Sequence, residues 1–223
     1  MIDASCEHGS PYPCSSKENY YIYMPYAGQD FSTFDWFNSK ISQPDKFRLL
    51  EQLLEGLSTL HRLGIMHRDI RRQNVLLLSL EPAEAAICDF GKATKAESSE
   101  NTSIGPIYTL APEVWCVKSV GPYTNSIDIW AFGYAIAELF GYYGWQGNPP
   151  INPERYDSMV AMLQTHSSKH PIDEDLVDLV LRMLKWNPKQ RPTATEALQH
   201  RCWNFIRAQS PLESKAAQEK SIH

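Results

Sequence analysis

The sequence predicts a mainly helical α+β fold, with a buried central helix and a few short strands beside it. Three observations predict it. From Asp45 to Leu63 the apolar residues Phe47, Leu50, Leu53, Leu54, Leu57 and Leu60 recur every three or four positions, the period of a helix with one broad apolar face. From Ile127 to Phe140 eleven of fourteen residues are apolar, with only Asp128, Gly133 and Glu138 interrupting. A helix that is apolar all round is buried. Two short apolar runs, Val75–Leu78 and Ala85–Cys88, have the length and punctuation of strands.

The other elements follow in chain order. Residues 1–19 are polar, with Gly9, Pro11 and Pro13 among them, and read as loop. Tyr20–Met24 is aromatic and β-branched, so it reads as a strand. Ser32-Thr33-Phe34-Asp35 has the pattern of a capping box opening a short helix that ends near Ser39. Gly64 stops the long amphipathic helix. Leu176, Leu179, Val180 and Met183 mark another, and Thr193-Ala194-Thr195-Glu196 is a capping box opening the last. Residues 208–223 are polar and read as a loose tail, and there is no internal repeat.

Composition narrows the function classes. The net charge is −5, from 21 basic and 26 acidic residues with no long basic block, which gives no support to a nucleic-acid or membrane-surface partner. Cys6, Cys14, Cys88, Cys116 and Cys202 have neither metal-ligand spacing nor a compact disulfide pattern. No apolar stretch follows Met1 and no run approaches membrane-spanning length. The expectation is an intracellular protein, cytoplasmic or nuclear, with reduced thiols.

The chemistry concentrates in His67-Arg68-Asp69-Ile70-Arg71-Arg72-Gln73-Asn74, between the leucine-rich helix and the first apolar strand. A carboxylate and a carboxamide five residues apart on such a loop let Asp69 face a substrate hydroxyl while Asn74 turns toward a metal ion. Asp89-Phe90-Gly91 comes fifteen residues after Asn74, followed by Ala111-Pro112-Glu113. Ser126-Ile127-Asp128-Ile129-Trp130-Ala131-Phe132-Gly133 and Asn187-Pro188-Lys189-Gln190-Arg191-Pro192-Thr193 complete the series. In this order and spacing the set resembles the protein kinase family. The resemblance covers the hinge and large lobe, residues 20–207, with residues 1–19 standing as a remnant of the small lobe.

That resemblance implies ATP-dependent phosphoryl transfer to a protein hydroxyl. Asp69 would orient the acceptor and take its proton. Arg71, where serine/threonine kinases usually carry lysine, would neutralise the transferring phosphoryl as a fixed fork. Asn74 and Asp89 would hold Mg2+ with the hard oxygen ligands that ion prefers. Adenine would meet the main chain of Pro25 and Ala27, with Met24 as gatekeeper and Leu76 as floor. Asp30 would accept a ribose hydroxyl, or serve as a carboxylate at a helix N-terminus. His67 would pack beneath Phe90, ahead of Gly91. Asp128 would take main-chain N–H groups of the catalytic loop, and Glu113 with Arg191 would form a structural ion pair. Arg68 would receive a phosphate on the segment 92–110, at Thr102 or at Ser98, Ser99 or Ser103, with Lys92 or Lys95 completing the pocket.

No glycine-rich loop, V-A-I-K lysine or small-lobe glutamate precedes the hinge. The resemblance therefore implies a nucleotide site with a floor and a hinge but no roof, in a fragment or lobe-only chain. Pro106, Ile107 and Phe132-Gly133 lean toward tyrosine kinases, while the region from Thr193 through Trp203 leans toward serine/threonine kinases, which the balance favours. A non-catalytic pseudokinase-like binding module is the alternative. A small-molecule phosphotransferase is a third reading, against which Ala111-Pro112-Glu113 argues.

Overall fold

The structure is a computed structural model that describes residues 3–6, 20–23, 28–34, 36, 40–116, 121–139, 152–166 and 171–208. Met24, Pro25 and Ala27, the expected gatekeeper and hinge contacts, lie outside the described residues, as does the tail from 209. Strand β1 (Asp3–Cys6) pairs antiparallel with β2 (Tyr20–Tyr23), from Asp3 opposite Tyr23 to Cys6 opposite Tyr20. This corrects the expectation of loop throughout 1–19. The four residues of β1 are mostly small and polar and carry no strand pattern of their own; the aromatic partner strand supplies the ladder.

A short strand β3 (Gln29–Asp30) leads into a turn at 31–33. The short helix expected from the capping box at 32–35 to near Ser39 is not formed at 31–34, and residues 35 and 37–39 lie outside the described residues. Asp30 takes the capping role, its Oδ1 accepting from Ser32 N at 2.7 Å, Ser32 Oγ at 2.5 Å and Thr33 N at 3.1 Å. Helix α1 (Gln43–Arg62) begins two residues earlier than its apolar period, because Ser42 caps it, accepting from Asp45 N at 3.2 Å, and Pro44 suits the first turn. It ends where Gly64 adopts φ 72°.

After β4 (Ile65–Met66) come the paired strands β5 (Val75–Leu80) and β6 (Ala83–Ile87), then β7 (Thr94–Lys95). The sheet order is β3-β5-β6, and β4 pairs with β7. Gln52 fastens α1 to β6 by donating to Ala83 O and accepting from Ala85 N, both at 3.0 Å. Among the described residues the remaining α-helices are α2 (Pro112–Trp115), α3 (Ser126–Leu139), α4 (Pro153–His166), α5 (Pro171–Met183), α6 (Ala194–Ala197) and α7 (Asn204–Arg207). Thr193 and Glu196 make the expected capping box on α6. Among the described residues no helix is long and apolar enough to cross a membrane.

Helix α3 is the centre. Every residue in it except Ser126 and Glu138 is buried, and its apolar surface joins that of α1, α5 and Trp203 in one core. The contact with α5 is close enough that a Cβ on Gly133 would stand 2.8 Å from Met183 Cβ and 3.3 Å from Leu184 Cγ. Alanine favours a helix by about 1 kcal/mol over glycine, but an inserted methyl in a packed core costs about 1–3 kcal/mol. Gly133→Ala is therefore expected to lower stability despite its better propensity, read as a lower urea midpoint. A higher midpoint would show that the two helices can move apart at no cost.

Candidate active site

The site starts from Asp128, at the first turn of α3 and 1% exposed. Its Oδ2 accepts from His67 N at 2.8 Å and meets His61 Nε2 at 3.0 Å; its Oδ1 accepts from Arg68 N at 2.7 Å. A buried carboxylate without such partners would be costly. Here two consecutive amides of the loop 67–74 supply them, and they converge because Arg68 sits at φ 67°. A bulky residue in the left-handed region is sustained only where its surroundings over-determine it. The expectation for Asp128 is met in its geometry. His61 was not anticipated, since nothing local in the sequence directs a helix-end histidine to a residue 67 positions away.

His67 is fully buried, and its ring tautomer follows from its neighbours: Nδ1 accepts from Asp69 N at 3.3 Å, so Nε2 donates to Cys88 O at 3.0 Å. Its ring lies 5.0 Å from that of Phe90, as the resemblance implied, while Phe90 itself remains 49% exposed. Asn74, also buried, donates through Nδ2 to Asp69 O at 2.8 Å, which leaves its carboxamide oxygen as the atom able to ligate a cation. Asn74 O accepts from Cys88 N at 2.9 Å, which sets Asp89 beside the loop. Asp89, an exposed residue, adopts φ 60°, and its Oδ1 accepts from Gly91 N at 3.1 Å. A Cβ on Gly91 would stand 3.0 Å from that Oδ1.

Asp69 Oδ1 and Arg71 Nε face each other at 3.5 Å, and neither buried atom has a hydrogen-bond partner. Both side chains line a cavity of about 740 Å³ that also meets Thr102, Ser103 and Gly105. Leu76, half-buried on β5, pairs directly with Asp30 on β3, so the structure brings these two nucleotide-site candidates together on one sheet. The Ser32 hydroxyl is the main cause holding the Asp30 carboxyl below the usual range, against a smaller push upward from burial.

Arg68 does not meet Thr102. Its Nε donates to Lys92 O at 2.5 Å and its Nη1 approaches Ser99 Oγ at 3.5 Å, so of the four hydroxyls considered it is Ser99 that the guanidinium addresses. Ser99 is held there by reciprocal main-chain bonds with Tyr123, each 2.9 Å. Arg72 was also missed. Its Nε reaches Glu138 Oε2 at 3.2 Å, tying the loop to the last turn of α3, and burial raises the Glu138 carboxyl while Arg72 opposes the shift.

Glu113 and Arg191 form a bidentate pair at 2.6 and 2.8 Å. The other three guanidinium N–H groups donate to Lys185 O, Ser126 O and Trp186 O, so all five donors are used, and the group lies 4.9 Å from the Trp130 ring.

A family profile, described as the protein kinase domain, matches residues 11–203. The chain belongs to the protein kinase family. Among the kinases it resembles are the serine/threonine-protein kinase shk1/pak1 of Schizosaccharomyces pombe, 31% identical over 93% of this chain and 31% of that protein. The serine/threonine-protein kinase cds1 of the same organism is 32% identical over 83% of this chain and 42% of its own length. The human serine/threonine-protein kinase TAO3 is 33% identical over 71% of this chain and 17% of its own. The chain thus spans less than half the length of each of these kinases. A chain in the crystal structure of the yeast RNA Pol II CTD kinase CTDK-1 complex shares the fold, with a TM-score of 0.62, 23% identity, and coverage of 85% of this chain and 72% of that one.

Proposed function

We propose that this chain carries the catalytic loop of an ATP- and Mg2+-dependent kinase that phosphorylates serine or threonine in a protein substrate. The observation that carries the reading is the pairing of Asp69 with Arg71 at 3.5 Å in side chains that both line the cavity, with Asp69 Oδ1 engaged in no hydrogen bond among the described residues. Phosphoryl transfer depends on positioning and charge neutralisation more than on covalent chemistry. Asp69 is placed to orient an acceptor hydroxyl and receive its proton. Arg71, 3.5 Å away, is placed to offset charge on the phosphoryl oxygens. The donor set of one carboxamide oxygen from Asn74 and one carboxylate from Asp89 suits Mg2+, which takes few protein ligands and completes its shell with phosphate and water. When bound, the ion neutralises the phosphates of ATP. Asp30 Oδ2 and Leu76 serve the ribose and the adenine. The serine/threonine preference rests on relatives that are all serine/threonine kinases by name.

The reading is tested by calorimetric titration of the chain with ATP, with and without Mg2+. The expected result is weak, saturable binding that requires the metal and is lost in Asp89→Asn, while the variant melts as the parent does. Binding that needs no metal, or that survives the substitution unchanged, would overturn the assignment of Asp89.

A further inference from the structure

The cavity beside Asp69 has a charge pattern that the catalytic reading does not use. Asp69 is the only acid among the described residues that line it. Arg71 faces that acid at 3.5 Å, so the two largely offset each other. Lys92 lines the same cavity, is exposed, and has no carboxylate within ion-pair distance among the described residues. Its main chain is fixed, because Lys92 O accepts from Arg68 Nε at 2.5 Å. Both carboxylates that α3 extends to the catalytic loop are already engaged, Asp128 by main-chain amides and Glu138 by Arg72. The lining also includes the apolar Leu110, Val114 and the 38%-exposed Trp115.

We infer that this cavity selects an acceptor peptide with an acidic residue beside the phosphorylated hydroxyl, and that Lys92 is the selecting cation. The inference rests on the kinase reading and specifies the substrate class of the same site. A hydroxyl seated on Asp69 brings the flanking side chains of its peptide into the cavity. There a carboxylate meets the uncompensated ammonium of Lys92, whereas a lysine or arginine meets a like charge and no unpaired acid. The protein as a whole carries a net charge of −5 and repels acidic peptides at long range, so a preference for them has to originate locally. Complementary charge of this kind governs specificity more than raw affinity.

The test uses three fluorescein-labelled peptides, identical except that a central serine is flanked by glutamate, alanine or lysine, titrated with the full chain and followed by anisotropy. At low salt the glutamate peptide is expected to bind about tenfold tighter than the lysine peptide, with alanine between, and the gap to close as sodium chloride is added. Lys92→Glu, at an exposed position, is expected to invert the order with an unchanged melting curve. Lys95→Glu, which removes an exposed lysine outside the cavity lining, is expected to leave the order intact. Equal binding of the three peptides, binding of none, a preference for lysine, or an equal effect of the two lysine variants would each overturn the inference. The metal-dependent ATP titration is read separately, so a failure of peptide selection and a failure of the kinase reading give different results.

Discussion

Glu113→Ala is expected to destabilise the protein by about 3–5 kcal/mol, the range for breaking a buried ion pair on one side only. The Arg191 side chain is fully buried and that of Glu113 is 6% exposed, so water cannot replace the lost carboxylate. Arg191 would keep its three carbonyl partners but hold a buried positive charge with two N–H groups unanswered. Replacing both residues by apolar ones of similar volume, Glu113→Leu with Arg191→Met, is expected to cost less than Glu113→Ala alone, because no uncompensated charge remains. Urea denaturation of the three proteins decides it. A loss under 1 kcal/mol in Glu113→Ala would mean that the pair is not buried as described.

Asp128→Ala is expected to destabilise the protein at least as much. It leaves His67 N, Arg68 N and His61 Nε2 without an acceptor, and each buried donor stripped of its partner costs about 1–3 kcal/mol. The loss is specific to place as well as large. The left-handed Arg68 is sustained by those bonds, so the loop should relax, and amide exchange at His67 and Arg68 should become fast while exchange within α1 stays slow. If the variant melts like the parent and both amides stay protected, Asp128 is not the anchor of the catalytic loop.

Helices α1, α3, α5 and α6 could be read from the sequence because each declares itself locally, whereas α2, α4 and α7 were not expected. The three-to-four spacing of leucines in α1 and the unbroken apolar stretch of α3 are properties of one segment, and the structure buries both as expected. The motif residues were legible in the same way, and Asp128, Glu113, Arg191, His67 and Phe90 have the partners the resemblance implied. What escaped was pairing at long range. Ser99, not Thr102, faces Arg68 because Ser99 is laddered to Tyr123, and no pattern within 92–110 encodes that. The Arg72–Glu138 link spans 66 positions and β1 is a strand only by virtue of β2. At Asp30 the competition was local, but two overlapping caps fit the same residues, and the aspartate upstream captured the Ser32 hydroxyl that a capping box would have used.

The saturated guanidinium of Arg191 has a mechanical consequence for the cavity it never touches. Glu113 belongs to α2, and so do Val114 and Trp115, which form one wall of that cavity. Any excursion of α2 would have to break two charge-assisted bonds to a group that is itself clamped by Lys185, Ser126 and Trp186. Thr102 and Ser103, which line the same cavity, are exposed, and their turn is held by Ser103 N donating to Asn101 Oδ1 and by Tyr123 Oη donating to Asn101 O. The α2 part of the lining is thus braced from the far side of the core, by a cation that lies outside the cavity.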